Sequence, residues 1–195
     1  MNFLAHQYLS FGKEPIMVGN FIADTLRGNQ GTLLPEPIRR GVSIHRDIDT
    51  FTDENQLVLN TRKCLYPYFG KYAAVVQDVY YDHFLALSWK EYSAVSLIDF
   101  THHVYSTLNK HSAYLNPKAQ RTFYYMSTQN WLYHYKSLEG INRALTGLSR
   151  RAKFESNMEK GIPPLKKHFD EMSEQFNLFF PQLVAFVSER SSLDS

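Results

Sequence analysis

An all-α fold, a single-domain helical bundle, is what this sequence predicts, on three observations. No alternating run of β-branched residues is bounded by an Asn-Gly or Asp-Gly turn, so strand and hairpin signals are nearly absent. Apolar residues recur at helical spacing along most of the chain, and Gly and Pro fall mostly between those stretches. The 195 residues, 44% of them hydrophobic and 21% charged, suffice for one core, and no linker, repeat or low-complexity tract divides them. Residues 1–195 are therefore expected to form one domain, with 13 Tyr and 14 Phe making its core aromatic.

Pro15 opens a first helix whose apolar positions, Ile16, Phe21, Ile22 and Leu26, follow the helical period. Gly28-Asn29 and Gly31 end it, with Asp24 in its last turns. Pro35 and Pro37 precede a second helix over about 38–51, packed through Ile38, Val42, Ile44, Ile48 and Phe51; His45 and Asp49, four apart, share one of its faces. Thr52-Asp53 reads as the cap of a third helix through Leu57, Leu59 and Leu65, closed by Pro67 and Gly70. A fourth, over about 71–87, packs through Ala74, Val75, Val79, Phe84 and Leu85 and carries Asp78, Asp82 and His83. Further helices are expected over about 96–109, 117–135 and 137–150, and from 163 towards 190, where Pro181 should kink or split the last one.

Composition excludes several classes. A net charge of +2 is too small to predict a nucleic-acid binder by charge. The longest apolar runs are far too short to cross a bilayer, and the start, Met1 to His6, lacks the basic region and cleavage site of a signal peptide, so a cytoplasmic protein without a membrane partner is expected. One cysteine, Cys64, allows no internal disulfide and no thiolate-rich zinc site. Local basic clusters, Arg39-Arg40 with Arg46, Arg62-Lys63, and Arg150-Arg151 with Lys153, suit an acidic protein partner, although a solvated helix face explains them equally.

His6, Asp24, His45, Asp78, Asp82 and His83 stand within the most apolar helix-like stretches of the first half. A buried carboxylate or imidazole is costly unless paired, hydrogen-bonded or bound to metal, so the group predicts a metal site held by His and Asp. Each residue taken alone reads more readily as a satisfied structural group than as a functional one. Asp24, His45, Asp82 and His83 come from three predicted helices and His6 from the segment before them. Adjacent Asp82 and His83 point about 100° apart, an arrangement that can grip one ion over a helix edge. Asp78, one turn before Asp82, and Asp49, beside His45, read either as ligands or as groups that orient an imidazole. His102, His103, His111, His134 and His168 read as peripheral. No Gly-x-Ser-x-Gly elbow or phosphate-cradling glycine loop occurs and Cys64 has no neighbouring His, which leaves metal-assisted hydrolysis as the chemistry.

Four runs carry a family likeness: Met1-Asn2-Phe3-Leu4-Ala5-His6; Gly19-Asn20-Phe21-Ile22-Ala23-Asp24 with Arg27-Gly28-Asn29; Gly41 to His45-Arg46 with Ile48-Asp49 and Thr52-Asp53; and Asp78-Val79 through Asp82-His83-Phe84-Leu85 with Trp89. In order and spacing, along nearly the whole chain, they resemble the bacterial acyl carrier protein phosphodiesterases. The resemblance implies an all-helical enzyme distantly related to the HD phosphohydrolases and dependent on a divalent metal, manganese favoured and magnesium or cobalt as alternatives. It implies hydrolysis of the phosphodiester that joins 4'-phosphopantetheine to a serine of holo acyl carrier protein, an acidic protein substrate. Carried over, Asp24, His45, Asp82 and His83 become metal-centred residues, with His6 and Asp78 beside them. Here the dyad reads Asp82-His83 and not His-Asp, so ligands of ordinary HD enzymes do not transfer position by position. Asp24 or Asp78 is expected to accept a proton from water, Arg27 or Arg46 to offset charge on the phosphoryl oxygens or to pair with Asp24 or Asp49, and Arg39, Arg40, Arg62 and Lys63 to receive the carrier protein. Two other readings stay open: an HD-type phosphohydrolase for a nucleotide or another small phosphodiester, and a non-enzymatic helical binding module for an acidic partner.

Overall fold

The computed structural model describes residues 1–192, whose regular elements are helices with no strand among them. A short α1 (Phe3–Tyr8) and a longer α2 (Glu14–Ile22) lead through two 3-10 turns, Ala23–Thr25 and Gln30–Leu33, into α3 (Glu36–Glu54). Pro15 and Pro37 each stand in a first turn, where the ring's fixed φ suits the helix and the missing N–H needs no partner. There follow α4 (Gln56–Phe69), α5 (Ala73–Leu87), α6 (Trp89–Tyr92), α7 (Leu97–Lys110), α8 (Pro117–Thr128), α9 (Trp131–His134), α10 (Leu138–Ser149), α11 (Ile162–Lys167) and α12 (Phe169–Ser192).

Boundaries differ from the sequence expectation where a single residue decides them. Thr52 and Asp53 continue α3, and the cap of α4 is Asn55, whose Oδ1 accepts from Leu57 N at 3.0 Å. Pro67 lies inside α4, and Gly70, at φ +50°, ends it. The stretch expected as one helix over 117–135 is broken by Asn130 in the left-handed region, at φ +47°. The last helix is divided at His168 and runs through Pro181 without interruption.

The core is aromatic, as the composition predicts. Tyr80, Tyr81 and Phe84 of α5 are fully buried, and Tyr81 meets Phe176 and Phe179 of α12 at ring distances of 5.3 and 5.7 Å. An equally important contact has no side chain in it. A Cβ added to Gly19 of α2 would lie 2.1 Å from the Ile38 carbonyl oxygen, and one added to Gly41 of α3 would lie 2.5 Å from that of Ile16. The two helices thus cross backbone to backbone, which sets Asn20 and Asp24 at one side of the crossing against His45 and Asp49 at the other. No helix among the described residues is long and apolar enough to cross a membrane.

Candidate metal centre

Asn20 is buried beside the glycine crossing, and its bonds assign its orientation. Nδ2 donates to the His6 carbonyl at 2.9 Å and to Ser10 Oγ at 3.1 Å, which leaves Oδ1 as an acceptor. His6 Nδ1 and His45 Nδ1 both donate to that oxygen, at 2.9 and 3.2 Å. In their neutral forms both imidazoles therefore carry the proton on Nδ1 and turn an Nε2 lone pair the other way.

What faces the Nε2 atoms is carboxylate. Asp49 Oδ1 lies 3.2 Å from His6 Nε2, Asp49 Oδ2 lies 3.2 Å from His45 Nε2, and Asp24 Oδ1 lies 3.2 Å from His45 Nε2. The rings are stacked with centroids 4.1 Å apart, and the ligand atoms of His6, His45 and Asp49 all fall within 4.8 Å of one another. Both imidazoles are buried, whereas the Asp49 side chain is 43% exposed and that of Asp24 79% exposed, so the group opens to solvent along its acidic side.

Protonation follows from that geometry. Burial lowers the His6 imidazole to about 4, helped by the charge on His45. Burial also lowers His45, but Asp24 and Asp49 outweigh it and raise the ring to about 9. Burial raises Asp49, and the hydrogen bond from His45, with the charge of the Met1 ammonium, overcomes it and holds the carboxyl far below its ordinary value. The Asp24 carboxyl is lowered chiefly by its hydrogen bond from His45. Two ionised carboxylates therefore share one imidazolium, and the Met1 ammonium adds a second positive charge that acts on Asp49. A pair of Nε2 atoms, fixed from behind by an amide and flanked by carboxylate oxygens, is a donor set that fits a divalent cation.

Other residues expected at the site make their bonds to different partners. Asp82 is fully buried, and its Oδ2 and Oδ1 accept from Leu4 N at 2.7 Å and Ala5 N at 3.1 Å. It satisfies the first turn of α1, whose cap residue Asn2 supplies no side-chain bond. Burial pushes the Asp82 carboxyl up to about 7 against the pull of these two donors. His83 Nδ1 donates to the Tyr135 carbonyl at 2.6 Å, and its ring lies against Phe84 and Phe169. Asp78 Oδ1 lies 3.1 Å from the Met1 ammonium. Each of these three is thus bonded to another part of the fold, although the charge on Asp49 still acts on Asp78. Asp82 instead holds α1, and with it His6.

Among the basic residues, Arg27, Arg39, Arg46 and Lys63 are exposed. Arg40 donates to the Ser191 and Arg190 carbonyls, at 2.9 and 3.3 Å, and Arg62 is turned inward onto Asp53 at 2.8 Å and Gln77 at 3.0 Å. Asn20 is not among the functional residues the sequence predicts, although it stands in one of the runs that carry the family likeness. Asp49 had a visible signal, its place four residues after His45.

The sequence profile described as acyl carrier protein phosphodiesterase matches residues 1–183. This chain belongs to that family. A protein of that name from Photorhabdus laumondii is 31% identical over 94% of this chain and 93% of its own length. Relatives of the same name from Klebsiella pneumoniae and Salmonella agona are 30% and 28% identical, over 97% and 98% of this chain and 99% and 100% of theirs. No solved structure matches the chain. Within this acyl carrier protein phosphodiesterase family member, Asn20, His6, His45, Asp49 and Asp24 are the groups that the fold brings together.

Proposed function

We propose that this chain hydrolyses holo acyl carrier protein at the phosphodiester between 4'-phosphopantetheine and its serine, releasing apo acyl carrier protein and 4'-phosphopantetheine. The observation that carries the reading is a pair of buried imidazoles locked onto one amide oxygen and opening through carboxylates to solvent, in a chain of this family. His6, His45 and Asp49 are the ligands of a divalent cation, with Asp24 at its exposed side. Manganese is the ion expected, with magnesium and cobalt as alternatives. When bound, such an ion supplies Lewis acidity, making water a better nucleophile near neutral pH and polarising a phosphoryl oxygen.

The chain's own residues do the rest. Asp24, the most exposed carboxylate of the group, takes a proton from the attacking water and returns it to the serine oxygen as the phosphorus–oxygen bond breaks. Asp78, engaged with the Met1 ammonium, is the weaker candidate for that role. Arg27 and Arg46, close in sequence to Asp24 and His45, offset charge on the phosphoryl oxygens. Arg39 and Lys63 remain for an acidic carrier protein, since Arg40 and Arg62 are held by internal bonds. The cytoplasm is the compartment proposed for this reaction.

Mass spectrometry of holo acyl carrier protein incubated with the purified chain and manganese, with and without chelator, tests the reaction. Loss of the whole phosphopantetheine group only in the absence of chelator is expected. Loss that survives chelation, or none under either condition, overturns the reading. Added salt is expected to raise the apparent KM far more than it lowers kcat.

A further inference from the structure

A cavity of about 440 Å³ opens beside the N-terminal end of α1, bounded by α9 and α10, in the size range of small-molecule sites. Phe3 and Trp131 form apolar wall, and Arg143, Arg150 and Arg151 stand exposed around it. No Asp or Glu is among its lining residues. Phe3 links it to the candidate metal centre: this residue lies one helical turn before His6 on the same face of α1, and its ring meets Phe21, which follows Asn20 in the chain, at 5.9 Å.

Two glycines of α10 border this cavity for different reasons. A Cβ on Gly140 would lie 2.0 Å from the His134 carbonyl oxygen, so close packing excludes a side chain there. A Cβ on Gly147 would meet no atom within 4 Å, although glycine inside a helix weakens it. Neither packing nor backbone conformation requires glycine at 147. What the missing side chain preserves is the open volume.

We infer, resting on the function proposed above, that this cavity receives the 4'-phosphopantetheine arm while its phosphate lies at the His6–His45–Asp49 group. The arm is an anion at one end and a slender chain of two amides and a thiol beyond. Its apolar segments suit Phe3 and Trp131, and its amides suit the side-chain amides of Asn2 and Asn142. The arginines and the lack of carboxylates match its charge and that of the acidic protein that carries it.

Gly147→Leu fills the cavity from a position with room for the new side chain and improves helix propensity, so a melting temperature equal to or above wild type is expected. Calorimetric titration of the metal-free protein with 4'-phosphopantetheine should show binding at least ten-fold weaker in the variant. With manganese present, kcat/KM for holo acyl carrier protein should fall at least ten-fold, mainly through KM. Wild-type affinity and turnover in a folded Gly147→Leu protein would overturn the assignment of the cavity and leave the proposed reaction standing. A wild-type protein that binds 4'-phosphopantetheine in a Gly147-dependent way yet leaves holo acyl carrier protein intact would overturn the reaction and keep the cavity.

Discussion

The α2–α3 crossing and the middle of α5 contain the same kinds of side chain in similarly apolar surroundings, and the fold uses them in opposite ways. At the crossing, Asn20 takes both imidazole Nδ1–H groups, so the two Nε2 atoms face only the carboxylates of Asp24 and Asp49, an arrangement that a divalent cation fits. In α5, Asp82 is consumed by the Leu4 and Ala5 amides, Asp78 by an ammonium and His83 by the Tyr135 carbonyl. Burial does not separate the regions, since His6, His45, Asp82 and His83 are all buried. The partner does. A buried titratable group bonded to main chain supports structure, whereas one bonded from behind by a neutral amide and facing carboxylates is available for metal.

The largest break in that comparison comes from removing a carboxylate on each side of it. Asp49→Ala is expected to abolish stoichiometric manganese binding and lower turnover by ~10³-fold or more, about 4 kcal/mol of transition-state stabilisation. The metal-free variant should melt within a few degrees of wild type, because it removes one of two carboxylates competing for one imidazolium. Asp82→Ala should do the reverse. It leaves two buried N–H groups without acceptors and costs about 2–4 kcal/mol of stability, a drop on the order of 5–15 °C for a chain of this size, with metal still bound in the folded fraction. Denaturation curves and metal content measured on both variants check the pair; an Asp82→Ala protein of wild-type stability that has lost its metal would reverse the assignment.

A smaller effect sharpens the role of the amide. Asn20→Ala keeps every proposed ligand but frees both Nδ1 atoms, and a 10–100-fold loss of manganese affinity is expected, read by competition with a chelator. Unchanged affinity would mean that the imidazoles are oriented by their stacking and by Asp49 alone.

Much of the fold is legible in the sequence because periodicity and prolines carry it: α3 and α5 fall near their expected places, and Pro15, Pro37 and Pro117 stand in the first turns of their helices. Its breaks at Asn130 and His168 are not, because neither a left-handed asparagine nor a one-residue interruption disturbs the apolar pattern enough to show. The candidate site is legible as residue types and only partly as a set. His6, Asp24 and His45 stand out as polar residues in apolar runs, and Asp49 is marked by its spacing from His45. Asn20 does not titrate and so draws no attention. The partners of Asp82 are main-chain amides, which every residue but proline owns and which leave no trace in the sequence.

The finest distinction between the two regions is one of pH in the metal-free protein. His45, raised to about 9 from its ordinary 6.5, contributes stability that is complete below about 6.5 and lost as pH climbs through about 9. His6, lowered to about 4, stays neutral across this window, and Asp82, at about 7, has largely ionised before most of it. The Met1 ammonium, lowered by burial but raised further by Asp78, loses its proton with the same sign as His45, so a difference measurement is needed. Between pH 7 and 9 the wild-type protein is expected to lose more stability than His45→Gln, and the excess should shrink in high salt because Asp24 is largely exposed. Saturating manganese competes with the proton for the same Nε2 lone pair and should flatten the wild-type slope. Equal slopes in the two metal-free proteins would mean that His45 is not charged between Asp24 and Asp49. The crossing would then be as internally satisfied as α5.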